Sequence, residues 1–315
     1  MPGAEGTWAT SYHAPVFVDE VVRVLAGARR VLDGTLGGGG HAAALLARGG
    51  SVDAVDRDPD AVASASARLA GAAAAGRFRA YAGNFAQLDA VAPLRDIHYD
   101  GVLLDLGLSS HQIDATDRGF SFRPGARLDM RMEGPGSPQR DATEWLADAT
   151  ETELADAFRS YGDEPRSARL AREVVRRRAR EPFTTSDDLV RAIRGALGAR
   201  TGPGDFARLF QAVRIAVNDE LGALATALPE LRDRLHPGGH FVVISYHSGE
   251  DRLVKDAFRE WSRSCTCPPR QPRCTCGGRA LGALEHRRPL VPGPDEVLRN
   301  PRARSAKLRT WRRAA

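Results

Sequence analysis

The residues best suited to chemistry lie in the stretch Asp33-Gly34-Thr35-Leu36-Gly37-Gly38-Gly39-Gly40-His41. A short apolar run, Val31-Leu32, ends in an acid, and five glycines then fall within seven positions. An alanine-rich segment follows. That order reads as strand, tight turn and helix start, with backbone amides of the turn and first helical turn facing a ligand. Two cofactor chemistries compete for it. Gly37, Gly39 and Ala42 satisfy the G-x-G-x-x-G/A dinucleotide pattern. Asp33 argues the other way. A carboxylate at the strand tip repels a diphosphate, whereas it suits S-adenosylmethionine, which carries an ammonium and a cationic sulfur. A glycine turn that only permits close strand–helix packing is the third reading.

The run Ser51-Val52-Asp53-Ala54-Val55-Asp56-Arg57-Asp58-Pro59 adds a second acidic strand end about twenty residues past the glycines. Asp56 closes the apolar run, where a carboxylate accepts hydrogen bonds from both ribose hydroxyls of an adenosine. Asp58 precedes Pro59 and is expected to cap the following helix. Asp105 ends a further apolar strand, at the edge where open α/β sheets bind their ligands.

These side chains need a sheet behind them. Strands are expected up to Asp33, over 51–56, over Phe78–Ala82 and over Tyr99–Asp105, the last reading as continuous apolar residues. Helical segments alternate with them, so the fold class is α/β with a parallel, doubly wound, Rossmann-like sheet. After Gly107 the rhythm changes. Residues 118–138 are rich in Gly, Pro and Arg, and 141–198 reads as helical. Capped helix starts are expected at Thr143, Thr152 and Thr185, with a basic helix over Arg166–Arg180. One long helix is expected over Asp205–Leu235, then a turn at His236–Gly239, a strand over His240–Tyr246, a helix from Gly249 to Ser262 and a last strand near Lys307–Trp311. The domain expectation is a sheet domain of 1–117 and 206–315, interrupted by a helical insert at 118–205. No internal repeat is visible.

At 315 residues, 42% hydrophobic and 27% charged, the composition is that of a globular protein with a real core. No apolar run is long enough to span a bilayer. Met1–Thr10 lacks a basic-plus-apolar leader, so a cytoplasmic protein is expected. The net charge of +5 is compatible with a polyanionic partner and equally with an arginine-rich proteome. All four cysteines fall in Cys265-Thr266-Cys267 and Cys274-Thr275-Cys276. Disulfides are not expected in the cytoplasm. The four thiols are candidates for a tetrahedral zinc site, although C-x-C is tighter than the usual spacing, and thiols in a loop are the alternative.

Further motifs fall in a fixed order: His13-Ala14-Pro15-Val16, the glycine turn, Asp56-Arg57-Asp58-Pro59, and Leu104-Asp105-Leu106-Gly107-Leu108-Ser109-Ser110 with Gln112. Arg118-Gly119-Phe120-Ser121-Phe122, Leu128-Asp129-Met130-Arg131-Met132, Phe210-Gln211-Ala212-Val213-Arg214-Ile215 and Val217-Asn218-Asp219-Glu220-Leu221 follow. Ser245-Tyr246-His247-Ser248 with Glu250-Asp251-Arg252, and Asn300-Pro301-Arg302-Ala303-Arg304-Ser305, complete the set. From about His13 to its end the chain resembles the bacterial small-subunit rRNA cytosine-N4 methyltransferase family, RsmH or MraW. Two departures are local: Tyr246 stands where Phe is usual, and Gly249 where Leu is common.

The resemblance implies a class I methyltransferase fold with a substrate-recognition insert. It also implies S-adenosylmethionine as cofactor and methylation of the exocyclic N4 of a cytidine in the decoding region of 16S rRNA, within the small ribosomal subunit. It carries cofactor contacts over to Gly39, Gly40, His41, Asp56, Phe85, Asp105 and Gln112, with Phe85 against the adenine. The oligomeric state stays open, a homodimer included. Methyl transfer needs an in-line nucleophile at contact distance. Cytosine N4 is a weak nucleophile, so a group that accepts its amino protons would help. Asp105 and Ser109 in one strand-end loop, and His247 with Ser248 in another, are the candidates, with Asp105 better suited to positioning. An extruded base needs a stacking partner, for which Phe120, Phe122 and Tyr246 are candidates. Arg127, Arg131, Arg176, Arg177, Arg178, Arg302 and Arg304 are candidates for phosphates. A DNA- or protein-directed amino methyltransferase, a non-catalytic RNA-binding assembly factor and a nicotinamide dehydrogenase are the competing functions.

Overall fold

Short apolar runs bounded by glycine and acids form the strands, and the alanine-rich or amphipathic segments between them form the crossovers. The computed structural model describes residues 15–315 apart from 266, 269, 276 and 277. His13 and Ala14 therefore lie outside the described residues, as does Cys276. The order is α1 (Val18–Val24), β1 (Arg30–Asp33), α2 (Gly40–Ala47), β2 (Ser51–Asp56), α3 (Pro59–Arg68), α4 (Ala70–Ala74), β3 (Phe78–Ala82) and β4 (Tyr99–Asp105). There follow α5 (Ser110–Asp114), α6 (Ala142–Asp148), α7 (Glu151–Ser160), α8 (Ser167–Arg178), α9 (Ser186–Leu197), α10 (Pro203–Asn218) and α11 (Glu220–Asp233). The chain ends with β5 (Leu235–Ser245), α12 (Ser248–Trp261), β6 (Gly282–Leu284), α13 (Pro294–Arg299) and β7 (Lys307–Arg313).

Among the described residues seven strands form one sheet in the order β3-β2-β1-β4-β5-β7-β6. The first five are mutually parallel, and β7 runs antiparallel to both β5 and β6. This is the α/β, Rossmann-like sheet expected from the sequence, with β6 as an addition that its three-residue length hid. Parallel strands covered on both faces read as apolar runs. Leu32, Val102, Leu103, Leu104, Phe241, Val242 and Ile244 are fully buried accordingly. Asp58 caps α3 by accepting the Asp60 amide at 3.1 Å, with Pro59 in the first turn, as expected.

The chain divides into two compact units. One takes in the chain up to Gly107 and from Gly222 onward, and the other is Leu108–Leu221. The helical unit thus starts before and ends after the expected 118–205 span. The reason is α10, whose Phe206, Leu209, Phe210 and Val213 are buried in one core with Leu146, Leu154, Phe158 and Leu170. The single helix expected over 205–235 is broken at Asp219, which takes a left-handed φ of 47°. Periodicity continued across that break because α10 and α11 each carry an apolar face. The helices expected to start at Thr143 and Thr152 start instead behind Asp141 and Thr150, each closed by a glutamate three residues on (Glu144, Glu153).

Polar residues fix the helical unit from inside. Asp129 is fully buried and receives the Arg131 guanidinium, Nε to Oδ1 at 2.9 Å and Nη2 to Oδ2 at 2.7 Å. Burial raises the Asp129 carboxyl, and the Arg131 fork outweighs it, so the group sits below the usual carboxylate range. Buried Asn218 closes α10 by donating to the Met130 carbonyl at 2.7 Å and accepting from the Met132 amide at 2.9 Å.

Gly119 lies where the chain crosses back on this motif. Its φ is +74°, and a Cβ there would sit 2.1 Å from the Arg127 carbonyl oxygen, a backbone atom. Gly119→Ala is expected to destabilise the fold by at least about 2 kcal/mol. Gly125→Ala, at φ +76° with open space around it, should cost only about 1 kcal/mol. Denaturant midpoints of the two variants check this, and equal midpoints would contradict it.

Candidate functional site at the strand ends

The glycine turn is held by the ends of three adjacent strands. Asp33, Asp56 and Asp105 end β1, β2 and β4, which lie side by side with their carboxyl ends together. The turn first extends the ladders: the Gly34 amide donates to the Leu103 carbonyl at 2.9 Å and the Leu36 amide to Val55 at 3.1 Å. Asp56 then accepts the Gly37 amide on Oδ2 at 2.7 Å and the Asp58 amide on Oδ1 at 2.9 Å. Asp33 accepts the Thr35 amide at 3.1 Å, and the Thr35 hydroxyl oxygen accepts the Asp105 amide at 2.6 Å. Gly39 precedes α2 with φ +72°, and a Cβ there would press on Ala65 at 3.1 Å and Leu69 at 3.3 Å. A Cβ at Gly40 would meet the Pro15 ring at 2.7 Å. These two glycines are therefore demanded by packing against the protein itself. Gly37, by contrast, has a positive φ and nothing within 4 Å of its Cβ position.

The electrostatics follow from so much acid in one place. Burial pushes the Asp33 carboxyl up to about 7, helped by the neighbouring Asp105 and Asp56 and opposed by His41 and the Thr35 amide. Burial likewise raises Asp56 to about 6, against the pull of its two backbone donors. His41, in the first turn of α2 and buried, holds Nε2 3.4 Å from Asp105 Oδ2. The Tyr246 hydroxyl donates to Asp105 Oδ1 at 2.9 Å. Burial and the Asp105 charge push that phenol well above its usual range, so it stays a donor. Three carboxylates against one imidazole make this end of the sheet favour a cation and disfavour a diphosphate.

The other expected residues fall into distinct settings. Phe85 opens a 3-10 turn after β3, half-buried against the sheet core, with Cβ 3.2 Å from where a Gly34 Cβ would be. His247 caps α12. Its Nδ1 accepts the Glu250 amide at 3.4 Å, and its Nε2 lies 3.1 Å from Glu250 Oε1. Ser109 and Gln112 belong to the helical unit, where they cap α5 reciprocally. The Ser109 hydroxyl accepts the Gln112 amide at 3.2 Å, and Gln112 Oε1 accepts the Ser109 amide at 3.0 Å.

Several substrate-facing expectations are corrected. Phe120 is buried, and Phe122 packs on Phe206 and Phe210 with ring centroids 5.9 and 6.1 Å away, so both serve the helical core. Arg131 is committed to Asp129, and Arg178 donates to the Leu146 and Ala149 carbonyls. Arg177 pairs with Glu173 at 2.6 Å, whereas Arg176, 2.7 Å from the same carboxylate, stays exposed. Arg127 is exposed, 3.5 Å from Asp141, and Arg302 and Arg304 are exposed. Sequence reading missed Arg169 and Arg172, which share the solvent side of α8 with Arg176. Their i, i+3, i+7 spacing is the signal that would have found them.

A cavity of about 670 Å³ lined by Arg23, Arg29 and Arg48 lies at the amino ends of β1 and β2. None of the glycine-turn residues line it, and ligands of open α/β sheets bind at the other end. Among the described residues no helix is long and apolar enough to cross a membrane.

A family model described as the MraW methylase family matches residues 10–314. A protein from Gemmatimonas aurantiaca named ribosomal RNA small subunit methyltransferase H is 58% identical over 304 residues, covering 96% of each chain. Proteins of the same name from Anaeromyxobacter sp. (strain Fw109-5) and Heliobacterium modesticaldum are 48% and 44% identical. They match 94% and 95% of this chain and 96% and 97% of their own.

The raised Asp33 carboxyl sets a pH dependence. Its folded value of about 7 exceeds the ordinary 3.8, so its stabilising contribution is complete below about pH 4 and is lost as pH rises to about 7. Without ligand, Asp33→Asn should therefore match wild type near pH 4 and exceed it by a few kcal/mol near pH 8. Denaturation across that range checks it, and parallel curves for the two proteins would refute it.

Proposed function

The chain belongs to the MraW methylase family and is a methyltransferase, and from that premise we propose that it uses S-adenosylmethionine to methylate the exocyclic N4 of a cytidine in the decoding region of 16S rRNA, in the cytoplasm. The observation that carries the cofactor assignment is that Asp33, Asp56 and Asp105 end adjacent strands at the glycine turn, with His41 beside Asp105 as the one basic side chain paired to them. A diphosphate would meet that charge with repulsion, whereas an ammonium and a sulfonium would be stabilised by it. The donor set thus fits the cofactor, which supplies an electrophilic methyl group on a good leaving group.

In this reading Asp56 receives the ribose hydroxyls. Both its oxygens already accept one backbone amide each, and each keeps a further lone pair. The first-turn amides of α2, at Gly40 and His41, are donors without an intrahelical partner. Phe85 offers its half-buried ring to the adenine. Asp105 positions the acceptor amine. Tyr246 and the Thr35 hydroxyl hold Asp105 from side chain and backbone, which supports a reading in which the cytosine amino group donates to its carboxylate. That bond orients the N4 lone pair towards the methyl group. Once methylated, the protonated N4 is a strong acid and gives its proton to water. Ser109 and His247 are assigned to positioning, because both are engaged in helix caps.

Nucleoside mass spectrometry of small-subunit rRNA from cells with and without the gene tests the reaction. Loss of one N4-methylated cytidine is expected, and an unchanged nucleoside profile would overturn the proposal. In purified enzyme Asp105→Asn should lower kcat by roughly 100-fold or more. Ser109→Ala and His247→Ala should stay within about tenfold of wild type, since neither moves the proton. A 1000-fold loss in His247→Ala with an intact melting profile would return that residue to proton transfer.

The helical unit is proposed to meet the RNA through the solvent side of α8. Replacing Arg169, Arg172 and Arg176 together by Ala should weaken RNA binding and flatten its salt dependence by about one slope unit per lost phosphate contact. An unchanged slope would move the RNA surface elsewhere.

A further inference from the structure

The connection from α12 to β6 is closed at its base by the Leu281 amide, which donates to the Trp261 carbonyl at 2.8 Å. Between these two residues no described position is buried. A loop with no apolar core has no hydrophobic reason to hold one shape. Three thiols nonetheless converge within it. Cys265 Sγ lies 3.7 Å and Cys267 Sγ 3.9 Å from Cys274 Sγ, and all three sulfurs fall within 4.8 Å of one another. A disulfide would bring two of them to about 2.05 Å. The separations match a shared ion: zinc–sulfur bonds of about 2.3 Å in a tetrahedron put the sulfurs about 3.8 Å apart.

The loop is shaped for this. The Gln271 amide donates to the Pro268 carbonyl at 3.2 Å, Arg270 takes a φ of 81°, and Gln271 Nε2 donates to Thr275 Oγ1 at 2.8 Å. This turn folds Cys274 back onto Cys265 and Cys267. The chemistry is selective as well. The segment 262–281 contains no Asp, Glu or His, so it offers nothing to magnesium or calcium, whereas soft thiolates select zinc. Arg263, Arg270, Arg273 and Arg279 lie in the same segment and offset the net negative charge of a thiolate-rich centre.

We propose that Cys265, Cys267 and Cys274 bind a structural zinc ion that clips the α12–β6 connection into shape. A tetrahedral ion takes one more donor, and the sequence carries a further thiol, Cys276, outside the described residues. The site shares no residue with the strand-end carboxylates and does not rest on the proposed reaction.

Full-length protein made without a histidine tag or chelator should carry about one zinc per chain by elemental analysis. Cys274→Ser, which removes the sulfur common to both short separations, should carry less than about a tenth of that. Because the variant may fold poorly, the wild-type protein supplies a second measurement. Stripping it with a strong chelator should speed tryptic cleavage after Arg270 and Arg273, and returning zinc should restore protection. Cobalt substitution should give the intense near-ultraviolet thiolate charge-transfer band of a tetrahedral sulfur site. Metal-free wild-type protein after growth in zinc-supplemented medium, iron in place of zinc, or full zinc retention in a folded Cys274→Ser variant would each overturn the proposal.

Discussion

Three carboxylates end three neighbouring parallel strands, and almost everything about the candidate site follows from having to satisfy them. Parallel β2, β1 and β4 bring Asp56, Asp33 and Asp105 to one edge. Ionised acids that close together destabilise one another unless donors reach them. Backbone amides supply those donors: Gly37 of the turn and Asp58 after β2 to Asp56, and Thr35 of the turn to Asp33. The turn cannot take another path without leaving a carboxylate bare. What the backbone does not neutralise remains as raised pKa values, about 7 at Asp33 and about 6 at Asp56. A cationic ligand draws on that unspent charge, which links scaffold to cofactor preference.

Tyr246 shows how one hydroxyl sharpens this arrangement. Its ring packs against Gly107, where an added Cβ would stand 3.3 Å from it, and its oxygen fixes one side of Asp105. His41 approaches the other carboxylate oxygen. Asp105 is therefore gripped on both oxygens and through its own amide. A carboxylate so restrained loses little entropy when it meets a substrate amine, which is the value of preorganisation in group transfer.

In the helical unit, the charged motif residues are mostly structural. Asp129 and Arg131 form a buried fork, Asn218 ties the end of α10 to Met130 and Met132, and Arg118 donates to the Arg131 and Met132 carbonyls. Breaking such a buried pair leaves an uncompensated charge, a large penalty. Chemical residue types at regular spacing thus marked a scaffold here. The solvent side of α8 carries a quieter signal, three arginines one helical face apart.

How much was legible from sequence depends on whether the information was local. Strands β1 to β4, the cap at Asp58 and the Rossmann-like class were readable because apolar run length, glycine turns and proline positions act over a few residues. The acids at the strand ends were readable for the same reason. The break at Asp219 was hidden because two amphipathic helices in register give one continuous period. The roles of Phe122, Arg131 and Arg178 were hidden because an aromatic or a guanidinium is the same letter whether it faces water or a core. Only the folded chain could decide that Gly39 is required by Ala65 and Leu69, that Tyr246 reaches Asp105, and that three cysteines meet at one point. The first two depend on residues far apart along the chain, whose distance is set by packing rather than by neighbouring sequence, and the third on the path of one turn that the spacing of the cysteines does not fix.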